Sequence, residues 1–408
     1  MGRRVVVAFV VALALMVVPV GTAAADGHGR HHGGPRPFPP QLAAKLQGAI
    51  QLAQQGYDAP GIAVAVHQPG VGDLTVTAGH ADIASNTPVT PATHFRIGSV
   101  TKTFTATVIL QLVQEHRLSL SKDIDQWFPQ LPYAEQITIR DLLDMHSGIF
   151  DEGGGTSSLT TAANANPTAS WTIDQIVAFA IEDGSKPPGT PGYSDTNYAM
   201  LAAIAAAVTH TPYPKLLERT ILHPLHLDHT SFPTTSMTMP SPAATPYVVG
   251  LPNGNPANPI VVVAKTLNPS VLGGAGAMIS TLPDIERWSR AFGSGELLSP
   301  TMRRVRLQLQ SLPGVGPFVG LPGFTNGTQY PATYGLGIAE VDNFVGHNGI
   351  FGGFTSESWY DPATGASIAI LLNSQIFETN AKGTTIIGYL GVPDALFTSL
   401  AQILQRQT

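Results

Sequence analysis

Ser99 and Lys102 lie three residues apart at the start of a predicted helix that runs on through Phe104 to Glu115. A hydroxyl in a first helical turn lies at the positive end of the helix dipole. The side chain three positions later lies on the same face, one turn away. An amine held there can accept or stabilise the proton of an otherwise unreactive alcohol. The spacing therefore permits nucleophilic catalysis, although a helix N-cap followed by an exposed lysine has the same pattern.

Composition excludes several other kinds of chemistry. The 408 residues are 43% hydrophobic and only 12% charged, with a formal net charge of −6, so no basic surface for nucleic acid or anionic membrane is expected. The absence of cysteine excludes a disulfide scaffold, a thiol nucleophile and a Cys-ligated zinc. The chain is long and apolar enough to bury one large core.

The segment around Ser99 resembles the nucleophile region of the serine β-lactamase and penicillin-binding superfamily. It is most similar to the branch that holds class C β-lactamases, secreted D-alanyl-D-alanine carboxypeptidases and related esterases. The resemblance covers roughly Gln41 to Asn373. Its segments, in the family's order, are HFRIGSVTKTF (94–104), ITIRDLLDMHSGI (137–149), PPGTPGYSDTNYAML (187–201), GGAGAMIST (273–281) and YGLGI (334–338).

The resemblance implies roles for Tyr193 and Asp195. The family places a tyrosine whose phenol faces the nucleophile at Tyr193, and a base role for a group with a pKa of about 10 needs a neighbouring cation such as Lys102. Asp195 replaces the commoner asparagine, so it cannot donate an amide N–H to substrate but can pair with Lys102. An alternative register aligns Ser194-Asp195-Thr196 with an S-D-N element. That register lacks the final Asn and a following Glu-x-x-x-Asn, so Tyr193 is favoured.

A third motif, His347-Asn348-Gly349, resembles the K-T-G or H-T-G element of the family. Gly349 lets its strand approach the nucleophile closely because it has no Cβ. The N–H of Ile350 would join that of Ser99 as an oxyanion hole. His347 is expected to assist proton movement near neutral pH; a merely hydrogen-bonded strand histidine is the alternative.

Two departures concern the substrate. In the family's carboxypeptidases an arginine that binds the substrate's terminal carboxylate follows the Y-G-L-G strand, where this chain has Ala339. The hydroxyl-bearing residues that flank the motif glycine are replaced by Asn348 and Ile350. A carboxylate pocket is thus weakened, and only a weak preference for a free terminal carboxylate is expected.

The order of elements predicts an α+β fold. Strand-like runs at Gly61 to His67 and Leu74 to Ala81 precede a mostly helical stretch, and strands return after Tyr334. We expect an antiparallel sheet built from both chain ends, flanked by helices, with an inserted helical lobe over roughly 120–270. Residues 230–269 are interpreted as loop, and a closing helix is expected from Lys382 onward.

The first residues have the pattern of a targeting segment. Residues 1–25 combine Arg3-Arg4, an apolar run and three alanines, which predicts a cleaved signal peptide; a retained N-terminal anchor is the alternative. Residues 26–40 are predicted to be a flexible His/Gly/Pro leader, followed by one hydrolase domain over 41–408. The protein is expected to be secreted, extracellular or cell-wall associated, without a membrane span after processing.

No cofactor or metal is expected. The histidines of the leader and the run His223, His226 and His229 are tempting ligands, but the latter lie beside Pro224 in a segment that matches a family turn. Activity should therefore survive a chelator.

Three functions remain open. The first is a serine hydrolase that works through an acyl-enzyme on D-alanyl-D-alanine cell-wall peptides. The second is an esterase or D-amino-acid amidase or peptidase of the same family. The third is a non-catalytic wall- or ligand-binding protein. The expected partners are a small peptide or ester and possible β-lactams, without nucleic acid; the oligomeric state is left open.

Overall fold

We analysed a computed structural model that describes residues 36–313, 318–321, 329–330, 332–389 and 391–406. The predicted signal peptide and the histidines of the leader lie outside these residues, and the predictions made for them remain predictions. Within the described ranges, no helix combines the length and the apolar character needed to cross a membrane.

Helices and strands alternate along the chain as an α+β fold. The helices are α1 Pro40–Gln55, α2 Thr101–Gln114, α3 Ile139–Leu143, α4 Ser158–Ala165, α5 Ile173–Glu182, α6 Asp195–Thr209, α7 Tyr213–Leu217, α8 Leu282–Ser294, α9 Pro300–Arg306 and α10 Val392–Gln405. The strands are β1 Gly61–Gln68, β2 Gly72–Asp82, β3 Thr87–Pro88, β4 Phe95–Arg96, β5 Tyr247–Pro252, β6 Ile260–Val263, β7 Ile279–Ser280, β8 Gln310–Ser311, β9 Phe318–Val319, β10 Gln329–Tyr330, β11 Thr333–Tyr334, β12 Ala339–Val341, β13 Phe344–Phe351, β14 Phe354–Tyr360, β15 Ser367–Leu372, β16 Ser374–Thr379 and β17 Ile386–Tyr389.

The main sheet joins both ends of the chain, as the sequence predicts. Its strand order is β3-β2-β1-β15-β14-β13-β12-β11-β8, and each neighbouring pair is antiparallel. β1 pairs with β15 from Ile62 opposite Leu372 to His67 opposite Ser367. Because β1 and β15 are buried almost throughout, the centre of the sheet is the core of the molecule.

Helices cover both faces of the sheet. Ser358 on β14 contacts Ser289 of α8, with 2.8 Å between the hydroxyl oxygens, and the next residue, Trp359, stacks on Phe397 of α10. Successive strand residues point to opposite faces, so α8 and α10 lie on opposite sides of the sheet. On the α8 side Trp288 stacks on Phe104 of α2, with ring centroids 3.8 Å apart. This packing fixes the helix that follows Ser99.

Two segments differ from the sequence-based expectation. The region interpreted as loop, 230–269, contains β5 and β6, which join β16 and β17 in a smaller sheet of order β17-β16-β5-β6. The expected helix from Lys382 begins only at Val392, because Ile386–Tyr389 pairs with β16 first. Pro393 in the first turn of α10 marks its true start, since proline is favoured there.

The end of the predicted leader is attached to the domain. The backbone N–H of Asp73 donates to Arg36 O at 2.6 Å, and Phe38 is 4% exposed. Arg36 to Phe38 thus contact the start of β2, and the flexibility predicted for the leader stays a prediction.

Candidate active site

Ser99 lies in a tight turn between β4 and α2. Gly98–Val100 forms one turn of 3₁₀-helix, and α2 starts at Thr101, two residues later than Ser99. Gly98 has φ of +47°, a left-handed conformation that favours glycine. The turn directs the serine into a cleft while Val100 and Phe104 are fully buried behind it.

The backbones on either side of Ser99 approach closely. A Cβ on Gly349 would lie 2.1 Å from Ile97 O and 2.9 Å from Ser99 N, and one on Gly98 would lie 2.5 Å from Ile350 N. Only glycine fits at both places. β12 pairs with β13 only over Phe344–Gly346, so the next part of this β13 edge faces the serine turn. The backbone amide nitrogens of Ser99 and Ile350 thus lie along one seam, which is the contact between the serine turn and the edge of β13.

Lys102 is completely buried and contacts three oxygens. Its Nζ donates to Ser99 Oγ at 2.9 Å, to Ala275 O at 3.1 Å and to Asp195 Oδ1. An ammonium has three hydrogens, so these contacts use all of them. The predicted pairing of Asp195 with Lys102 is present in the structure.

Asp195 is held from two sides at the start of α6. Its backbone N–H donates to Asp151 Oδ1 at 2.8 Å, and a Cβ on Gly153 would lie 1.7 Å from its Oδ2. Burial, with a smaller contribution from the Asp195 charge, raises the pKa of Asp151 to about 7. Asp151 was not identified from the sequence, and its acidic type two residues after Ile149 gave no distinctive signal.

Tyr193 lies between the serine and two buried rings. It hydrogen-bonds Ser99, and the Lys102 Nζ lies 4.8 Å from the centroid of its ring. Burial, followed by the negative charge of Asp195, raises the pKa of the Tyr193 phenol well above its usual range. The phenol is therefore protonated at neutral pH, and the base role that the resemblance implies stays a prediction.

His347 is buried and neutral. Its Nδ1–H donates to Asn348 O at 2.5 Å, and Nε2 accepts a hydrogen bond from the Tyr334 hydroxyl at 3.1 Å. Burial, followed by the positive charge of Lys102, lowers its pKa to about 3. The two hydrogen bonds fit the alternative of a hydrogen-bonded strand histidine, and proton transfer near neutral pH stays a prediction. Tyr334, which belongs to the YGLGI segment, positions it.

Asn348 uses one of its two amide hydrogens within the protein. Its Nδ2 donates to Asp394 Oδ1 at 2.8 Å, and Glu357 lies directly opposite it on β14. Asp394 and Glu357 were not identified from the sequence. An available signal was their charge, which is unusual within the apolar segments FTSESWY and VPDALF.

These side chains surround one cleft of about 1310 Å³. Among the residues that the structure describes along its lining, the charged ones are Asp151, Asp195, Asp394 and Lys265. The Lys265 Nζ donates to Asn164 O, which belongs to the same lining. Ala339 is 6% exposed and does not belong to this lining. Carboxyl groups therefore outnumber cations along the lining, although Asp195 is paired with Lys102 and burial raises the pKa values of Asp151 and Asp394.

A metal site is not formed by the described part of the chain, which contains no group of three or more His, Asp or Glu side chains able to hold an ion. His223 and His226 follow the end of α7 and lie at exposed positions. Within these residues, the chemistry available at the cleft is that of a hydroxyl, an ammonium, a phenol and carboxyl groups.

Comparison with known proteins agrees with this geometry. A family model described as Beta-lactamase matches residues 46–388. The putative penicillin-binding protein PbpX of Bacillus subtilis (strain 168) is 27% identical over 304 residues, which are 74% of this chain and 67% of PbpX. Protein flp of Staphylococcus aureus (strain N315) is 28% identical over 324 residues, 77% of this chain, but the chain spans only 59% of flp.

Two solved structures share the fold. The D-amino acid amidase from Ochrobactrum anthropi SV3, complexed with L-phenylalanine amide, superposes with a TM-score of 0.72 at 26% identity and covers 90% of this chain and 98% of the amidase. A D-stereospecific amidohydrolase from Streptomyces sp. gives a TM-score of 0.66 at 29% identity, covering 81% and 94%.

Proposed function

The chain belongs to the beta-lactamase family, and from this premise we propose that it is a serine hydrolase that forms an acyl-enzyme on Ser99 and cleaves amides of D-amino acids. The carboxyl groups of Asp151 and Asp394 on the cleft lining are the observation that carries the choice of substrate. Similarity to a D-amino acid amidase and to a D-stereospecific amidohydrolase supports it.

The attack step uses the seam between the serine turn and β13. The substrate carbonyl carbon is attacked by Ser99 Oγ, and its oxygen receives hydrogen bonds from the amides of Ser99 and Ile350. Donors of this kind contribute about 10²–10³ each in rate because they are aimed at the charge that develops. Gly98 and Gly349 keep the two amides close enough to act together.

The Ser99 hydroxyl takes part in two hydrogen bonds, with Lys102 and with Tyr193, along which its proton can leave. The Tyr193 phenol already holds its proton because of its raised pKa. The Lys102 ammonium has no free lone pair, but it can pass one proton to the Asp195 carboxylate that it contacts. The resulting amine then accepts the serine proton. Tyr193 donates its phenolic proton to the leaving nitrogen, and water releases the acyl group through the same groups in reverse.

Charge distinguishes the candidate substrates. An α-ammonium on the acyl part of a D-amino-acid amide is attracted by Asp151, whose pKa of about 7 leaves it partly ionised at neutral pH, whereas the terminal carboxylate of a D-alanyl-D-alanine peptide is repelled by Asp394. The carboxypeptidase prediction gains no support here, because Ala339 is buried outside the cleft lining and Asn348 donates to Asp394. The amidase alternative from the sequence is favoured.

A kinetic comparison tests the proposal. D-alanine amide, L-alanine amide, D-alanyl-D-alanine and its C-terminally amidated form are assayed with a matched p-nitrophenyl ester. We expect D-alanine amide to be hydrolysed, the L-amide to react more slowly, and the amidated dipeptide to exceed the free one at least about tenfold in kcat/KM, as for one charged contact. Faster cleavage of the free dipeptide would support a carboxypeptidase, and ester cleavage alone would support an esterase.

A further inference from the structure

The wall of the cleft opposite the catalytic helices has a polar cluster that the mechanism does not use. Asn348 on β13 faces Glu357 across the strand pair, and Asp394 in the first turn of α10 accepts from Asn348 Nδ2. Asp394 lines the cleft, one residue beyond the apolar helix start Val392-Pro393. This cluster adjoins the strand that carries the Ile350 amide.

Hydrogen bonds place the negative charge of the cluster on Asp394. Trp359 Nε1 donates to Glu357 Oε2 at 2.5 Å, and Glu357 hydrogen-bonds Asp394. Burial, followed by the charge of Asp394, raises the pKa of Glu357 well above its usual range, so Glu357 is a neutral donor. Burial raises the pKa of Asp394 as well, while the hydrogen bonds that it accepts from Asn348 and Glu357 act in the opposite direction. Its position at the positive end of the α10 dipole also favours the carboxylate.

Aromatic side chains line the cleft together with Asp394. They include Tyr389 and Phe377, whose ring centroids are 5.6 Å apart. A carboxylate beside aromatic faces is a combination that binds ammonium groups, since rings attract cations as well. A substrate carboxylate at the same place would be repelled by Asp394. Among the described residues of the lining, the cation is Lys265, whose Nζ donates to Asn164 O.

Building on the proposed function, we infer that Asp394, held by Asn348 and Glu357, is a specificity-determining residue that selects amides whose leaving amine carries a positive charge. Asp151 and Asp195 lie on the helical wall beside Lys102, where the acyl part lies, and Asp394 lies on the β13–α10 wall. A carbonyl held between Ser99 and Ile350 directs the two halves of an amide toward these two walls. The preferred substrate class is thus a D-amino-acid amide of a diamine or of another cationic amine.

Three D-phenylalanine amides of similar length test this inference. Their leaving amines are propylamine, which is neutral, 1,2-diaminoethane, which remains cationic, and glycine, which is anionic. Each is assayed with the wild type, Asp394→Asn and Asp174→Asn; the last removes the same charge from the first turn of the exposed helix α5. Affinities for the Ser99→Ala variant give a second measurement that does not depend on turnover.

We expect the wild type to prefer the cationic amide over the anionic one by about a hundredfold and over the neutral one by about tenfold in kcat/KM. Asp394→Asn should reduce both ratios at least about tenfold, and Asp174→Asn should retain them. If the wild type and Asp394→Asn give equal ratios, the inference is overturned. Hydrolysis of the neutral amide would in that case still support the proposed function. If no amide is hydrolysed, the proposed function fails, and the affinity order in Ser99→Ala still decides the inference.

Discussion

The Lys102 ammonium and the Asp195 carboxylate form an ion pair in which the lysine side chain is fully buried and the aspartate is 13% exposed. Burial of both charges is tolerated because each is paired and hydrogen-bonded. Lys102 also donates to Ser99 Oγ, so the pair can take up the proton that Ser99 loses when it attacks the substrate. An asparagine at position 195 would keep the shape and remove this capacity.

Asp195→Asn is expected to lower kcat by about 10²–10⁴, the range of general acid–base contributions. Without the carboxylate, Lys102 has to lose its proton to solvent, so the remaining activity should rise with pH more steeply than in the wild type. A pH profile of kcat measures this. An unchanged kcat with an unchanged profile would remove Asp195 from the proton path.

Gly153→Ala tests the same pair through shape alone. A Cβ there would lie 1.7 Å from Asp195 Oδ2, so the carboxylate has to move away from Lys102. We expect kcat to fall at least about tenfold. Gly155→Ala is the matched control in the same loop, because its Cβ would have no neighbour within 4 Å. Equal activities of the two variants would contradict the steric argument.

His347 should influence stability rather than the pH profile of catalysis. Its pKa is lowered from 6.5 to about 3 in the folded protein by burial. Below pH 6.5 the unfolded chain binds this proton and the folded protein does not, so stability decreases as the pH falls through that window. Between about pH 7 and pH 5 the loss is about 2 kcal/mol.

His347→Gln can donate to Asn348 O and accept from Tyr334 without titrating. Urea unfolding at the two pH values should therefore show about 2 kcal/mol less acid destabilisation in the variant than in the wild type. An identical loss in both proteins would mean that His347 does not carry a depressed pKa.

Local pattern was sufficient for much of the fold. The predicted strand Gly61 to His67 and the predicted helix through Phe104 to Glu115 correspond to β1 and α2, because the type of each element is encoded in its local residue pattern. β5 and β6 were missed although YVVGLP and IVVV are β-branched, since surrounding prolines and glycines dominated the pattern. Their pairing with β16 joins segments far apart in sequence, which periodicity does not report.

The candidate site shows a similar division. The motifs brought Ser99, Lys102, Tyr193 and the strand after His347 into consideration, and the structure places these residues around one cleft. The charged residues that contact these side chains were harder to identify from the sequence. Asp394 reaches Asn348 over 46 residues of chain, and the neutral state of buried groups depends on burial that only the folded structure defines.

Acylation of Ser99 by a D-amino-acid derivative can be observed directly. The protein is quenched rapidly with acid during hydrolysis of a D-phenylalanine ester, and its peptides are then mapped by mass spectrometry. We predict one D-phenylalanyl group on the peptide that contains Ser99, and none in Ser99→Ala. A group mapped to another residue, or steady-state hydrolysis without any covalent adduct under quenching fast enough to detect one, would contradict the account.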